Sequence, residues 1–181
     1  MALQLILAYA NSTWPNYAGD LENTHYQTVV GAMSSAPVVK WQRPTSGGVM
    51  SYGPSCFDVN GDPFPDVVFG SNDHYVYAVR GFDGTFLWSF STGGLVFSAA
   101  AIADLDGDGG EEVLIGSFDK NLYCLDGSSG TEKWRFTTGS TVYSSPKVVD
   151  VDGDGSLEVI FASNDSSVCL LYTSPSPRDR G

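Results

Sequence analysis

Along the middle of this chain apolar residues come in short runs, each closed by glycine, serine or aspartate, and no stretch sustains helical spacing. Residues 97–142 show the pattern in full. The run "SAAAIAD" (Ser98–Asp104) leads into an acidic, glycine-rich loop. "EVLIGS" (Glu112–Ser117) follows, then "NLYCLD" (Asn121–Asp126) and "EKWRFTT" (Glu132–Thr138), with turn-forming "SFDKN" and "DGSSGT" between them. Runs this short, rich in β-branched and aromatic residues and punctuated by Gly, Asn and Asp, predict β-strands joined by tight turns.

The whole pattern repeats. Asp58, Asp104 and Asp150 stand 46 residues apart, as do Ser71, Ser117 and Ser163, and Asp73, Asp119 and Asp165. Trp88 and Trp134 keep the same spacing, while Trp41, in "VVKWQRPTSGG", stands one residue out of register. A lone four-stranded sheet exposes both faces, and stacking such sheets around an axis buries them. A four-stranded unit of roughly 40–50 residues, repeated, is therefore read as a propeller blade. The expected fold class is all-β: a β-propeller fragment of about three four-stranded blades. The expected divisions are an N-terminal segment 11–50 that carries the last strand of an earlier blade, blades at 51–96 and 97–142, and a partial blade at 143–168.

Two ends fall outside the repeat. Residues 1–10, "MALQLILAYA", are apolar and finish in an A-x-A pattern, the expected remnant of a signal peptide. Residues 169–181, "CLLYTSPSPRDRG", match no repeat position and resemble the translation of an adaptor used in preparing sequencing libraries, so a non-native tail is expected. No apolar run approaches the roughly 18 residues of a membrane span. The three cysteines show no CxxC or adjacent pair, and Cys56 and Cys124 fall in strand-like runs, as buried thiols do.

Charge sharpens the picture. The net charge is −12 with only 9 Lys and Arg, which argues against nucleic acid or an anionic membrane as a partner. Many of the acids are concentrated in three short loops. Numbering each loop from 1, Asp104, Asp106 and Asp108 hold positions 1, 3 and 5 of the second, with Glu112 at 9. In the third these are Asp150, Asp152, Asp154 and Glu158; in the first, Asp58, Asn60, Asp62 and Asp66. Like charges this close need a counter-charge. Alternate side chains of a tight loop aim inward, and the backbone carbonyl at position 7 (Phe64, Gly110, Ser156) can add an oxygen. An all-oxygen set without His or Cys selects a hard cation, and Ca²⁺ tolerates the irregular geometry better than Mg²⁺. The expectation is a structural Ca²⁺ in each loop; three would halve the net charge. The alternative is a metal-free Asx-turn loop.

Other candidates read as structural. Asp73, Asp119 and Asp165 recur too regularly for a catalytic acid and are read as turn-stabilising. His25 and His74 are single and unmatched. Asn11-Ser12-Thr13 and Asn164-Asp165-Ser166 fit the glycosylation pattern, which chance also supplies.

Two families share these motifs. "DLDGDGGEEVLIGS" resembles the FG-GAP repeat of integrin α-subunits, with its calcium loop between strands. "LYCLDGSSGTEKWRFTTG" resembles the repeat of quinoprotein (pyrroloquinoline quinone) propellers, whose AxDxxTGxxxW pattern is matched by Asp126, Gly130 and Trp134. "WPNYAGDLENTHYQ" (Trp14–Gln27) resembles the start of secreted proteins with such repeats. The resemblance implies that Trp41, Trp88 and Trp134 dock neighbouring blades. It implies no quinone here, since the adjacent Cys-Cys pair of many quinone-using members is absent. A fold of this kind is a scaffold and does not fix activity. The expected function is a non-enzymatic calcium-binding scaffold of an exported or cell-surface protein, extracellular or periplasmic, that binds protein or glycan. One alternative is part of a quinone-dependent dehydrogenase with its active site in further blades. Another is a polysaccharide-processing protein that holds substrate on the propeller.

Overall fold

The computed structural model describes residues 39–49 and 52–173. Within these residues eleven strands form three antiparallel sheets in chain order. The first sheet holds β1 (Ser55–Phe57), β2 (Asp66–Gly70), β3 (Tyr75–Arg80) and β4 (Phe86–Ser91). The second holds β5 (Ala101–Ala103), β6 (Glu112–Gly116), β7 (Asn121–Asp126) and β8 (Glu132–Thr137). The third holds β9 (Lys147–Val149), β10 (Glu158–Ser163) and β11 (Ser167–Tyr172). Each strand pairs with the next, so each sheet is a meander. The ladder slips at Ala78/Val79 and again at Cys124/Leu125, the same repeat position, where a bulge adds local twist to the third and fourth strands.

Contacts between sheets run through the short first strands, β1 to β5 and β5 to β9. These strands therefore lie side by side around a common axis, and the later strands of each sheet lie outward. This is the blade arrangement of a β-propeller.

The middle blade shows why stacking is needed. Its strands have two apolar faces at period 2. Ile102, Val113, Ile115, Tyr123 and Leu125 join Val68, Val76, Ala78 and Trp88 of the first blade in one core. Ala101, Leu114, Leu122 and Cys124 join Val159 and Phe161 of the third in another. Every residue of β6 is buried as a result. Burying a side chain of this size contributes about 1.5–3 kcal/mol, so a blade without neighbours loses most of its support.

Some boundaries differ from those read in sequence. The first strand of the second blade is only Ala101–Ala103. Ser98 is held by the adjacent β6 instead, its Oγ accepting the Gly116 N–H at 3.0 Å. The second strand stops at Gly116 because the Ser117 N–H closes the next turn onto the Asn121 carbonyl at 2.9 Å. Residues 39–49 form no strand. In the third blade β11 runs to Tyr172, four residues past the boundary placed at Val168, because Cys169 and Leu171 alternate inward onto the core. Residues 1–10, Trp14–Gln27, Asn11-Ser12-Thr13, His25 and 174–181 lie outside the described residues. His74 occupies a left-handed turn, with φ of 74°. All three cysteines are free, and burial pushes the Cys124 thiol up to about 12.

Candidate metal centre

Each acidic loop joins the first strand of a blade to the second, and the second and third loops are built by the same local bonds. In the third loop Asp150 accepts the N–H groups of Gly153 at 2.7 Å and Gly155 at 3.0 Å. Asp154 accepts the Ser156 N–H at 2.8 Å. Gly153 and Gly155 take φ of 76° and 89°, which lets the chain reverse within a few residues. The second loop matches it: Asp104 accepts Gly107 and Gly109, and Asp108 accepts Gly110. These are Asx turns, and they turn the carboxylates of one loop toward a common centre.

The carboxylate at position 9 is the buried member. Glu112 is 2% exposed, and Asp66 and Glu158 are 0% exposed. One oxygen of each accepts the backbone N–H at position 2: Val59 at 3.3 Å, Leu105 at 2.8 Å and Val151 at 2.8 Å. The second oxygen sets the second loop apart from the other two.

In the third loop that oxygen, Glu158 Oε1, is buried and has no hydrogen-bond donor. Asp150, Asp152 and Glu158 each place a carboxylate oxygen within 4.8 Å of the others. Two oxygens sharing one Ca²⁺ at roughly 2.3–2.6 Å lie up to about 5 Å apart, so this set fits the ion.

In the second loop Glu112 Oε1 accepts the Lys133 ammonium at 2.6 Å. The same ammonium bonds Asp106 Oδ2 at 2.8 Å and lies 3.9 Å from Asp108 Oδ2. Asp104, Asp106 and Asp108 converge as the third loop's acids do. The Lys133 hydrogen bond holds Asp106 below the usual carboxylate range, and Asp106 and Glu112 together hold Lys133 above the usual ammonium range.

The first loop fits an ion less well. Asn60 is neutral, its Nδ2 is buried without an acceptor, and Arg80 Nε stands 3.2 Å from Asp62 Oδ2. Asp66 Oδ1 is buried with no donor, and burial, aided by Asp62 and Asp58, pushes this carboxyl up to about 6. Glu111 is likewise pushed up to about 7, by burial first and then by Asp104, Glu112 and Asp58.

The structure thus brings together Asp104, Asp106 and Asp108, and Asp150, Asp152 and Glu158. It does not gather three acids in the first loop, among the described residues. Asp108 and Asp154 fix Gly110 and Ser156 by their N–H groups. Sequence reasoning missed Lys133 and Arg80. The available signal was a cation at the head of the fourth strand in the second unit, where the first unit has Leu87.

The repeated aspartates do more than close their own turns. Asp119 Oδ2 accepts the Gly93 N–H of the preceding blade at 2.6 Å and the Tyr123 hydroxyl at 2.6 Å. Asp165 accepts the Gly139 N–H at 2.8 Å, and Asp73 accepts Ser46 at 3.0 Å. Each is a latch across a blade boundary. The tryptophans form the second latch. Trp88 Nε1 donates to the Gly127 carbonyl at 2.7 Å. Trp41 Nε1 reaches Gly81, the equivalent residue, at 2.9 Å, so its one-residue slip is absorbed before the ring docks.

Between consecutive blades Val96 fills the slot beside Gly70, and Val142 the slot beside Gly116. In the third blade the equivalent slot, beside Ala162, lies on the face that the following blade covers in the first two, bordered by Tyr143, Ser144 and Asn164. Tyr52 and Tyr143 meet edge to face with centroids 5.1 Å apart, and Phe97 and Phe118 extend the aromatic group.

The sheets, their meander order and the two latches define the blades of a β-propeller. The family described as the lambda-carrageenase β-propeller domain matches residues 81–149. No curated protein matches the sequence. Among solved structures, BamB from Moraxella catarrhalis superposes with a TM-score of 0.55 at 18% identity, over 74% of this chain and 37% of that one. A europium-containing methanol dehydrogenase superposes with a TM-score of 0.68 at 15% identity, over 94% of this chain and 32% of that one. The chain thus spans about a third of the length of either structure, and the likeness is one of fold. No helix among the described residues is long and apolar enough to cross a membrane.

Proposed function

We propose that this chain supplies calcium-stabilised blades to an exported or cell-surface β-propeller that serves as a non-enzymatic binding scaffold. The observation that carries the calcium reading is Glu158 Oε1, an acceptor buried without a donor beside Asp150 and Asp152. A bare buried carboxylate oxygen costs several kcal/mol, and a divalent cation removes that cost. Loop sites of this kind suit the high calcium levels outside cells, where extracellular modules bind with dissociation constants of about 10⁻⁴–10⁻³ M.

Melting in calcium and in chelator tests the reading. At a concentration about 100 times the dissociation constant, binding to the folded state adds about 2.7 kcal/mol. For a chain of this size that raises the midpoint by roughly 5–10 °C. An unchanged midpoint removes calcium from the proposal.

The scaffold's ligand is a glycan on this reading. Support comes from the match to the propeller domain of a protein named for a polysaccharide and from the exposed pair Tyr52 and Tyr143. Exposed tyrosines with neighbouring hydroxyl and amide groups suit the apolar faces and hydroxyls of sugars. With a net charge of −12, neutral glycans are the better candidates. A glycan array tests this, with Tyr143→Ala expected to abolish any hit; no hit at millimolar sugar turns the proposal to a protein ligand.

The fold match to a methanol dehydrogenase supports a second reading, a share in a quinone-dependent dehydrogenase. Adding pyrroloquinoline quinone to the purified protein, with absorbance and dye reduction followed, separates the two: dye reduction makes it an enzyme.

A further inference from the structure

We propose that the Lys133 ammonium is the second loop's built-in cation, so that calcium fills the third loop and enters the second only when Lys133 is displaced. The inference rests on the calcium reading of the third loop and adds an order of occupancy between the second and third loops, which are nearly the same in sequence.

The two loops have matching turns and the same buried position-9 glutamate. In the third, Glu158 Oε1 has no donor. In the second, the equivalent Glu112 Oε1 takes the Lys133 ammonium at 2.6 Å, and Asp106 takes it at 2.8 Å. With Asp108 at 3.9 Å, one ammonium touches three of the four acids expected to hold the ion. Lys133 heads β8, and its side chain is only 29% exposed, so the strand delivers the charge to the loop. Position 133 is the one that does this, since the first blade has Leu87 there.

The charges then decide occupancy. A Ca²⁺ at the centre of the second loop would stand beside a fixed positive charge and would have to take two carboxylates already bonded to it. At the third loop a buried acceptor gains its missing partner. Lys133 keeps β8 tied to the loop with or without calcium, while the third loop's order follows calcium level.

Calorimetric titration with CaCl₂ tests this on the 181-residue chain and on Lys133→Met, which keeps the stem and removes the charge. Expected is one further site in Lys133→Met, or calcium binding at the second loop at least about tenfold tighter, as removing a unit charge beside a divalent ion predicts. Glu112→Gln placed in the Lys133→Met chain abolishes the gain, and Glu158→Gln in the unchanged chain weakens the site already present. Should Lys133→Met fold poorly, Lys133→Gln serves, with circular dichroism as the check. If Lys133→Met binds calcium with unchanged number and affinity, this inference is wrong while the calcium reading stands. A gained site with no binding in the unchanged chain keeps Lys133 as the second loop's cation but removes calcium from the third loop, and with it the order of occupancy. Absence of binding in both removes both.

Discussion

Lys120 is an ordinary surface residue by composition, yet it holds φ of 76°, and His74 and Ser166 at the same repeat position hold 74° and 72°. A side chain in this region costs of order 1–3 kcal/mol, partly offset by the greater unfolded entropy of glycine. Lys120→Gly is therefore expected to stabilise the protein by about 1 kcal/mol, read as a higher urea midpoint. Trp88 works in the opposite direction. Its ring covers Gly130, where a Cβ would come within 2.5 Å of the indole, and its N–H satisfies the Gly127 carbonyl. Trp88→Phe leaves that carbonyl without its donor, at about 1–3 kcal/mol. Trp88→Ala empties the site, at about 3–5 kcal/mol. Equal losses for the two variants would mean that the hydrogen bond carries the latch and the ring adds nothing.

At the scale of elements, the turn between the second and third strands of each blade is also the fastening to the blade before it. Burial alone would raise the Asp119 carboxyl, but bonds from Tyr123, Gly93 and Asn121 outweigh it and hold the group below its ordinary value. The folded state thus prefers the carboxylate, and the unfolded chain takes up the proton first as pH falls. The stabilisation is complete above the ordinary value of 3.8 and is lost as pH drops through the folded value. Asp119→Asn should therefore cost most above about pH 5, with the difference from the unchanged chain shrinking toward pH 2–3. Urea midpoints across that range check it; a constant difference would assign the latch to packing and not to charge. Asp73 and Asp165 are lowered too, so the device repeats at each boundary.

For the whole molecule, stability is set by what each blade has on either side. The middle blade is covered on both faces, whereas β11 has its alternate residues exposed. Stacked repeats open from their least covered unit. Amide exchange is expected to be slowest in β6 and β7 and fastest in β9 to β11. Protection of β11 equal to that of β6 would show that something covers the third blade in solution. Sequence alone determined most of the strands and the repeat, because the short apolar runs of "EVLIGS" and "NLYCLD", the turn glycines and the 46-residue spacing are local signals that need no partner to be read. It also placed the acids of each loop, since Asx turns form within a few residues. Only the tertiary structure decided what those residues meet. Lys133 reaches Glu112 across 21 residues, Asp119 reaches Gly93 across 26, and Trp88 reaches Gly127 across 39. Those partners come together when strands pair and blades stack, so turns and latches, or two acidic loops alike in sequence, separate in role only there.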